Sequence, residues 1–107
     1  MFEHLLDILN DSKIPFVAYR WDQAPVTGPY GTAQIEGGAD VVAGDGKILE
    51  QAIRASVDLY APDPDVSYPK AVQDVLNGEF AWELNSVQYE EDTRIIHYEW
   101  LVEMEGL

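Results

Sequence analysis

The stretch from Asp45 to Tyr60 most constrains how this chain can fold, because its apolar and polar residues alternate. Apolar side chains that recur at every second position indicate a strand with one buried face. One face would carry Leu49, Ile53, Ala55, Val57 and Leu59, and the other Ala52, Arg54, Ser56, Asp58 and Tyr60. The alternation therefore predicts a long strand at the centre of the fold.

The same stretch can also be read with a period of 3.6, since Leu49, Ile53, Val57 and Tyr60 then form a stripe. Periodicity alone leaves a helix open. The preceding Asp45-Gly46 pair favours the strand, because glycine adopts the positive φ that a tight hairpin turn requires. We therefore expect Val41-Val42 to run back antiparallel to this strand.

The N-terminal half predicts one helix and two shorter strands. Phe2, Leu5, Leu6 and Leu9 share one face of a helix that stops before Pro15. The predicted elements that follow are a strand over Phe16–Trp21, a loop over 22–29, a weaker strand over Tyr30–Glu36, and a mobile loop or hairpin tip over 40–46.

The C-terminal half predicts a second helix and two strands. Ser67 is placed to cap a helix that contains Ala71, Val72, Val75 and Leu76, and Gly78 is placed to end it. Phe80, Trp82 and Leu84 alternate before the pattern shifts to Val87 and Tyr89, which predicts a bulge. A final strand is expected over Ile96–Met104.

The predicted order is α-β-β-β-α-β-β within a single domain over residues 1–107. This order gives an α+β fold with two helices packed on one mostly antiparallel sheet, and Trp82 and Trp100 in the core. The opposite face of the sheet should meet water or another chain, because it would carry Arg54, Asp58, Glu83, His97, Glu99 and Glu103.

Charge is the most informative feature of the composition, with 20 Asp and Glu against 6 Lys and Arg and a net charge of −14. Such a surface repels phosphate backbones, so a conventional nucleic-acid reader is disfavoured. An acidic surface can instead keep a chain soluble, face a basic partner, imitate DNA or line a passage for DNA. The chain has no Cys, no leader-like pattern and no membrane-span pattern, and we expect a soluble cytoplasmic protein.

The residues offer little support for catalysis or metal binding. Asp58, Asp63 and Asp65 are close in sequence but lack the spacing of a metal motif, and Asp65 is placed to favour the following helix N-terminus. Glu83, Glu99 and Glu103 could converge as a glycosidase-like pair, and a carboxylate hydrolase remains a third alternative. His97 lies in no nucleophile motif. We predict no catalytic, cofactor-binding or metal-binding residues, and expect an interaction protein.

In several stretches the chain resembles the tail-completion or tail-terminator proteins of long-tailed bacteriophages, also described as minor capsid or head–tail joining proteins. The resemblance covers nearly all of the chain and rests on several short stretches that occur in the expected order and at the expected spacing. They are the helix before Ile14–Tyr19, the approach to Gly28-Pro29-Tyr30, the stretch Ala43–Lys47, the strand end Val57–Tyr60 and the final Ile96–Trp100. Residues 31–34 are smaller and more polar than the bulky strand residues of similar proteins.

The resemblance implies a virion structural protein without enzymatic activity or cofactor. Such a subunit would form a hexameric ring between the tail tube and the head connector. It would be found in the virion, and in the host cytoplasm during assembly. DNA would pass through the ring without specific binding. We predict that Glu36, Asp40, Asp45 and Glu50 face the lumen or an adjacent ring, because carboxylates repel passing DNA. Arg20, Trp21 and Tyr30 are predicted at a subunit contact. The alternative is an acidic DNA mimic that inhibits a host nucleic-acid-binding protein.

Overall fold

The structure, a computed structural model, describes residues 1–21, 28–44 and 47–107, and the side chains of all these except 39–44 and 47–51. The elements are α1 (Phe2–Asp11), β1 (Phe16–Ala18), β2 (Tyr30–Gly44), β3 (Lys47–Pro62), α2 (Ser67–Leu76), β4 (Ala81–Glu90) and β5 (Ile95–Glu105). This order confirms the predicted α+β fold. Neither helix among these residues is long and apolar enough to cross a membrane.

One sheet contains all five strands in the spatial order β1-β2-β3-β5-β4. The short β1 pairs parallel to β2, and the other neighbours are antiparallel, so the sheet is mostly antiparallel as predicted. The strand interpretation of the central stretch is confirmed and the helix reading is wrong. β3 lies in the middle of the sheet, where it hydrogen-bonds to β2 on one side and β5 on the other.

The core lies between the two helices and one face of the sheet. Along β3 the apolar side chains alternate as the sequence predicts, with Ile53, Ala55, Val57 and Leu59 buried and Ala61 continuing the pattern. The side chain of Leu49 lies outside the described residues. Leu5 and Leu9 of α1 and Val72 and Leu76 of α2 belong to the same cluster. The predicted burial of the tryptophans is confirmed for Trp100, which is fully buried, and Trp82 packs partly buried against the core.

The first two strands differ in length from the prediction. β1 ends at Ala18 instead of Trp21, because Tyr19 has a φ of 68°, in the left-handed region where a strand cannot continue. β2 runs beyond Glu36 to Gly44, and Val41 pairs with Gln51 and Val42 with Glu50. The antiparallel return is therefore confirmed, and residues 37–44 belong to the hairpin strand. The β2–β3 ladder contains register shifts at three places in the glycine-containing part of β2, between Ile35 and Ala43.

The start of α2 corrects one detail of the sequence prediction. Ser67 is the first helical residue and Val66 occupies the N-cap, so Ser67 does not cap the helix. The Asp65 carboxylate accepts a hydrogen bond from the Ser67 backbone N–H at 2.9 Å, as the position of Asp65 before the helix predicts. Hydrogen bonding with the Ser67 side chain and with this backbone N–H lowers the pKa of Asp65. Gly78 follows the helix end with a φ of +85°, which confirms its predicted role.

The predicted bulge in β4 is present. Leu84 pairs with Trp100 and Ser86 with Glu99, so Asn85 is an extra residue that has no partner of its own on β5. The extra residue returns Val87 and Tyr89 to the same side of the sheet as Trp82 and Leu84. The shift in the apolar pattern along β4 therefore corresponds to the extra residue in the β4–β5 ladder.

The small residues at the start of β2 have a packing reason. Gly31 pairs with Phe16 of β1 and with Leu59 of β3, and the Phe16 ring lies over it. A Cβ at Gly31 would come within 2.1 Å of the Phe16 ring and 2.6 Å of the Asp58 carbonyl oxygen. The missing side chain leaves the space that the phenylalanine ring fills, which permits the parallel pairing of β1.

We expect Gly31→Ala to lower the free energy of unfolding by about 1–3 kcal/mol, the usual cost of overpacking a core. Gly38→Ala is the matched control in the same strand, since a Cβ there would approach only the Ala52 carbonyl oxygen, at 3.7 Å. Urea unfolding followed by far-UV circular dichroism measures both variants. Equal stability of the two variants would contradict this account of β1.

Candidate functional site

The side of the sheet opposite the helices, here called the outer face, collects most of the polar groups of the strands. It carries Gln34, Glu36, Arg54, Ser56, Asp58, Tyr60, Glu83, His97, Glu99 and Glu103. In the described part of the chain both helices pack on the other side. The sequence predicted this division, because these residues alternate with the core positions of their strands.

A row of rings, here called the aromatic row, crosses the outer face. Directly opposite residues in the ladder set it up, since Tyr30 pairs with Tyr60 and Tyr60 with His97. The ring centroids are 5.0 Å apart for Tyr30 and Tyr60 and 4.4 Å for Tyr60 and His97, and both pairs are stacked. Trp21 continues the row with a tilted contact of 5.0 Å to Tyr30.

A carboxylate–imidazole pair lies beside the aromatic row. The Nε2 of His97 is 2.7 Å from Oδ1 of Asp58, a distance at which the ring N–H donates to the ionised carboxylate. Their side chains are only 20% and 14% exposed. Burial raises the pKa of Asp58, although the hydrogen bond and charge of His97 act in the opposite direction. The negative charges of Glu99 and Glu36 add to the increase.

A second polar group joins β2 to β3 on the same face. Ser56 is almost completely buried, and its hydroxyl donates to the Glu36 carboxylate at 2.7 Å. The Gln34 amide donates to the same oxygen at 2.8 Å. These two hydrogen bonds lower the pKa of Glu36 because they favour the ionised form. Glu36 is thus held over the face as a carboxylate.

Two further acids of the outer face, Glu99 and Glu103, have side-chain partners of their own. Asn85 donates its side-chain amide to Glu99 at 2.6 Å, and Arg54 lies 3.9 Å from Glu103 in an exposed ion pair. Among the described residues no cluster of three potential metal ligands is found. The outer face is therefore a surface of aromatic rings and hydrogen-bonded carboxylates, which suits contact with another macromolecule.

The structure brings together two of the three residues predicted at the subunit contact. Trp21 and Tyr30 touch within the aromatic row, while Arg20 is exposed at the bend after β1. Glu36 lies on β2 near the middle of the outer face, where it accepts a hydrogen bond from Ser56 of β3. Asp45 and the side chains of Asp40 and Glu50 lie outside the described residues, so their predicted position stays a prediction.

The contacts of His97 with Asp58 and with Tyr60 are not in the sequence prediction. Alternation placed all three on one face but gave no register between β3 and β5. Asp58 is opposite Glu99 in the ladder, and His97 reaches it diagonally. A diagonal neighbour of this kind follows only once the register is known.

The chain matches no protein-family model, and a search of curated proteins finds no match either.

We expect Asp58→Asn to raise the free energy of unfolding at pH 7. The folded state raises the pKa of this carboxyl, so folding disfavours its charged form, and an amide removes that cost while still accepting the His97 N–H. Below the pKa values of both states, near pH 3, the wild-type carboxyl is also neutral and the advantage should disappear.

The control is Asp92→Asn, which removes the same charge from an exposed turn. Urea unfolding at pH 3 and pH 7 measures both variants. A loss of stability at pH 7 that is specific to Asp58→Asn would show that the His97 contact outweighs the burial of the charge.

Proposed function

We propose that this chain is a structural subunit of a phage tail. In this proposal it caps the tail tube as a hexameric ring, joins it to the head connector and surrounds the passage for DNA. The observation that carries the proposal is the outer face, where the aromatic row and the hydrogen-bonded carboxylates lie on the side of the sheet opposite the helices. Aromatic residues at such a surface are favoured anchors of protein contacts.

The long hairpin supports assembly with neighbours. β5 ends at Glu105 opposite Ala52, so within the described backbone Lys47–Gln51 pair with β2 alone. This two-stranded part is here called the arm, and the molecule as a whole measures 53 × 25 × 22 Å. A two-stranded ribbon is marginally stable in water by itself, whereas a third strand or a packing surface stabilises it. A neighbouring subunit would supply that surface.

The charge supports a passage for DNA. A net charge of −14 repels the phosphate backbone, and a repelling wall lets DNA slide without binding. Glu36 lies on β2 before the arm. Together with Asp40, Asp45 and Glu50, which follow it in the sequence, Glu36 is proposed to face the lumen or the adjacent ring. In this arrangement the outer face and Arg20, Trp21 and Tyr30 belong to the subunit contact, and the chain has no catalytic role.

Light scattering across protein concentration and salt tests the ring. Salt screens repulsion between acidic subunits, so the mass should rise towards six times that of one chain as salt increases. Arg20→Ala/Trp21→Ala should reduce this mass. Lys70→Ala/Tyr68→Ala on α2 is the control, because it removes one positive charge and one aromatic ring from the helix side of the molecule.

A monomer at every salt concentration, together with tight and salt-sensitive binding to a basic nucleic-acid-binding protein, would favour the DNA-mimic alternative instead. A ring that forms equally well with the Arg20 and Trp21 substitutions would move the subunit contact away from these residues.

Charge neutralisation tests the passage. Asp40→Asn/Asp45→Asn/Glu50→Gln should slow or stall DNA ejection from assembled particles, because the wall would no longer repel the backbone. Asp74→Asn/Glu91→Gln/Asp92→Asn removes the same number of charges from α2 and from the turn after β4, and should leave ejection unchanged. Fluorescent-dye ejection assays measure both, and equal rates would contradict the lumen assignment.

A further inference from the structure

We infer that the free edge of β4 pairs with β4 of a second copy of this chain, so that two sheets join into one across a two-fold axis. β4 is the last strand of the sheet, and ten residues of its backbone, Ala81–Glu90, border no further strand in the described structure. Edges of this length invite strand addition unless the protein protects them. The sequence of β4 identifies the partner that fits.

The exposed apolar side chains of β4 lie at this edge. Leu84, Val87 and Tyr89 are 46%, 52% and 51% exposed. Their partners on β5 are the core residues Trp100 and Tyr98 and the partly buried Ile96, which packs against the core. Directly opposite residues share a face of the sheet, so all three lie on the helix side. The helices cover the middle of the sheet and leave this margin uncovered. A joined sheet would bring two such margins together.

The bulge makes the face pattern of β4 palindromic. Trp82 and Leu84 lie on the helix side before it, and Val87 and Tyr89 lie on the helix side after it. Asn85 bonds to Glu99 and Ser86 pairs with Glu99, so the two central residues lie together on the outer face. The strand therefore presents the same order of faces when read from either end. A two-fold contact requires this property, because residue i meets j and j meets i.

One register satisfies this pattern. The opposed residues would be Trp82 with Tyr89, Glu83 with Gln88, Leu84 with Val87, and Asn85 with Ser86. Apolar side chains meet apolar ones, and each acid meets a neutral side chain. Shifting the register between the two copies by one residue would place helix-side residues opposite residues of the outer face. A shift of two sets Glu83 opposite Glu90 in one direction and Leu84 opposite Asn85 in the other.

The same features disfavour other partners. A regular foreign strand would lose its ladder at Asn85, because the bulge interrupts hydrogen bonding there, and bulges commonly protect edges for this reason. A second copy carries the same irregularity at the same place. In this register the Glu83 residues of the two copies are five positions apart along the strands, roughly 15 Å. Their repulsion is therefore weak, because this separation exceeds the screening length of about 8 Å at physiological salt.

Cysteine trapping tests the register, because the chain has no Cys of its own. Leu84→Cys/Val87→Cys places two thiols opposite their counterparts in the second copy, and mild oxidation should yield a covalent dimer. Leu84→Cys/Tyr89→Cys also carries two thiols on the helix side of β4. In the proposed register these thiols are not opposite each other, so oxidation should yield little covalent dimer. Equal yields from the two variants, or no dimer from the first, would overturn the proposal.

Analytical ultracentrifugation tests the contact without cross-linking. Val87→Lys should weaken dimerisation by about tenfold or more, since the charge meets Leu84 in both halves of the contact. Gln88→Lys is the matched control, because its charge would meet Glu83 and should preserve or strengthen the dimer. Circular dichroism checks that both fold. A wild-type protein that stays monomeric at high salt, or equal effects of the two lysines, would contradict the pairing.

This contact uses the edge of β4 and not the outer face, so it does not rest on the proposed ring. Arg20→Ala/Trp21→Ala should leave the dimer unchanged, and a dependence of the dimer on these residues would count against the edge contact.

Discussion

The fold depends on β3 being paired on both sides while only one of its faces packs against the helices. β2 and β5 satisfy its backbone, and the alternation along Ile53, Ala55, Val57 and Leu59 directs the core towards the helices. A slip of one residue would move every one of these side chains to the outer face. The register of β3 therefore determines where both the core and the polar face lie.

The outer face follows from this constraint, because each strand that pairs with β3 also alternates. Tyr30, Tyr60 and His97 form a row because they occupy matching positions in three neighbouring strands. Polar groups of this face that their neighbours bury, such as Asp58 and Ser56, then need local partners. His97 and Glu36 are those partners. Hydrogen bonds between strands thus hold the polar side of the sheet in one arrangement.

The sequence predicted the elements well wherever a periodic pattern was long. The α+β order, the central strand and the bulge in β4 follow from alternation and from its interruption. Two details needed tertiary information. The end of β1 depends on the left-handed conformation of Tyr19. The need for a glycine at position 31 is explained only by the Phe16 ring that packs over it. The link between Asp58 and His97 also required the register of two strands far apart in sequence.

The three tryptophans lie in three separate parts of this fold. Trp100 is fully buried and donates its indole N–H to Gln73 of α2, Trp82 donates to Asn77 at the end of that helix, and Trp21 ends the aromatic row. Indole emission depends on the polarity around the ring. Variants that retain one tryptophan at a time would therefore give separate optical signals from the interior, from the helix margin and from the outer face of a single small domain.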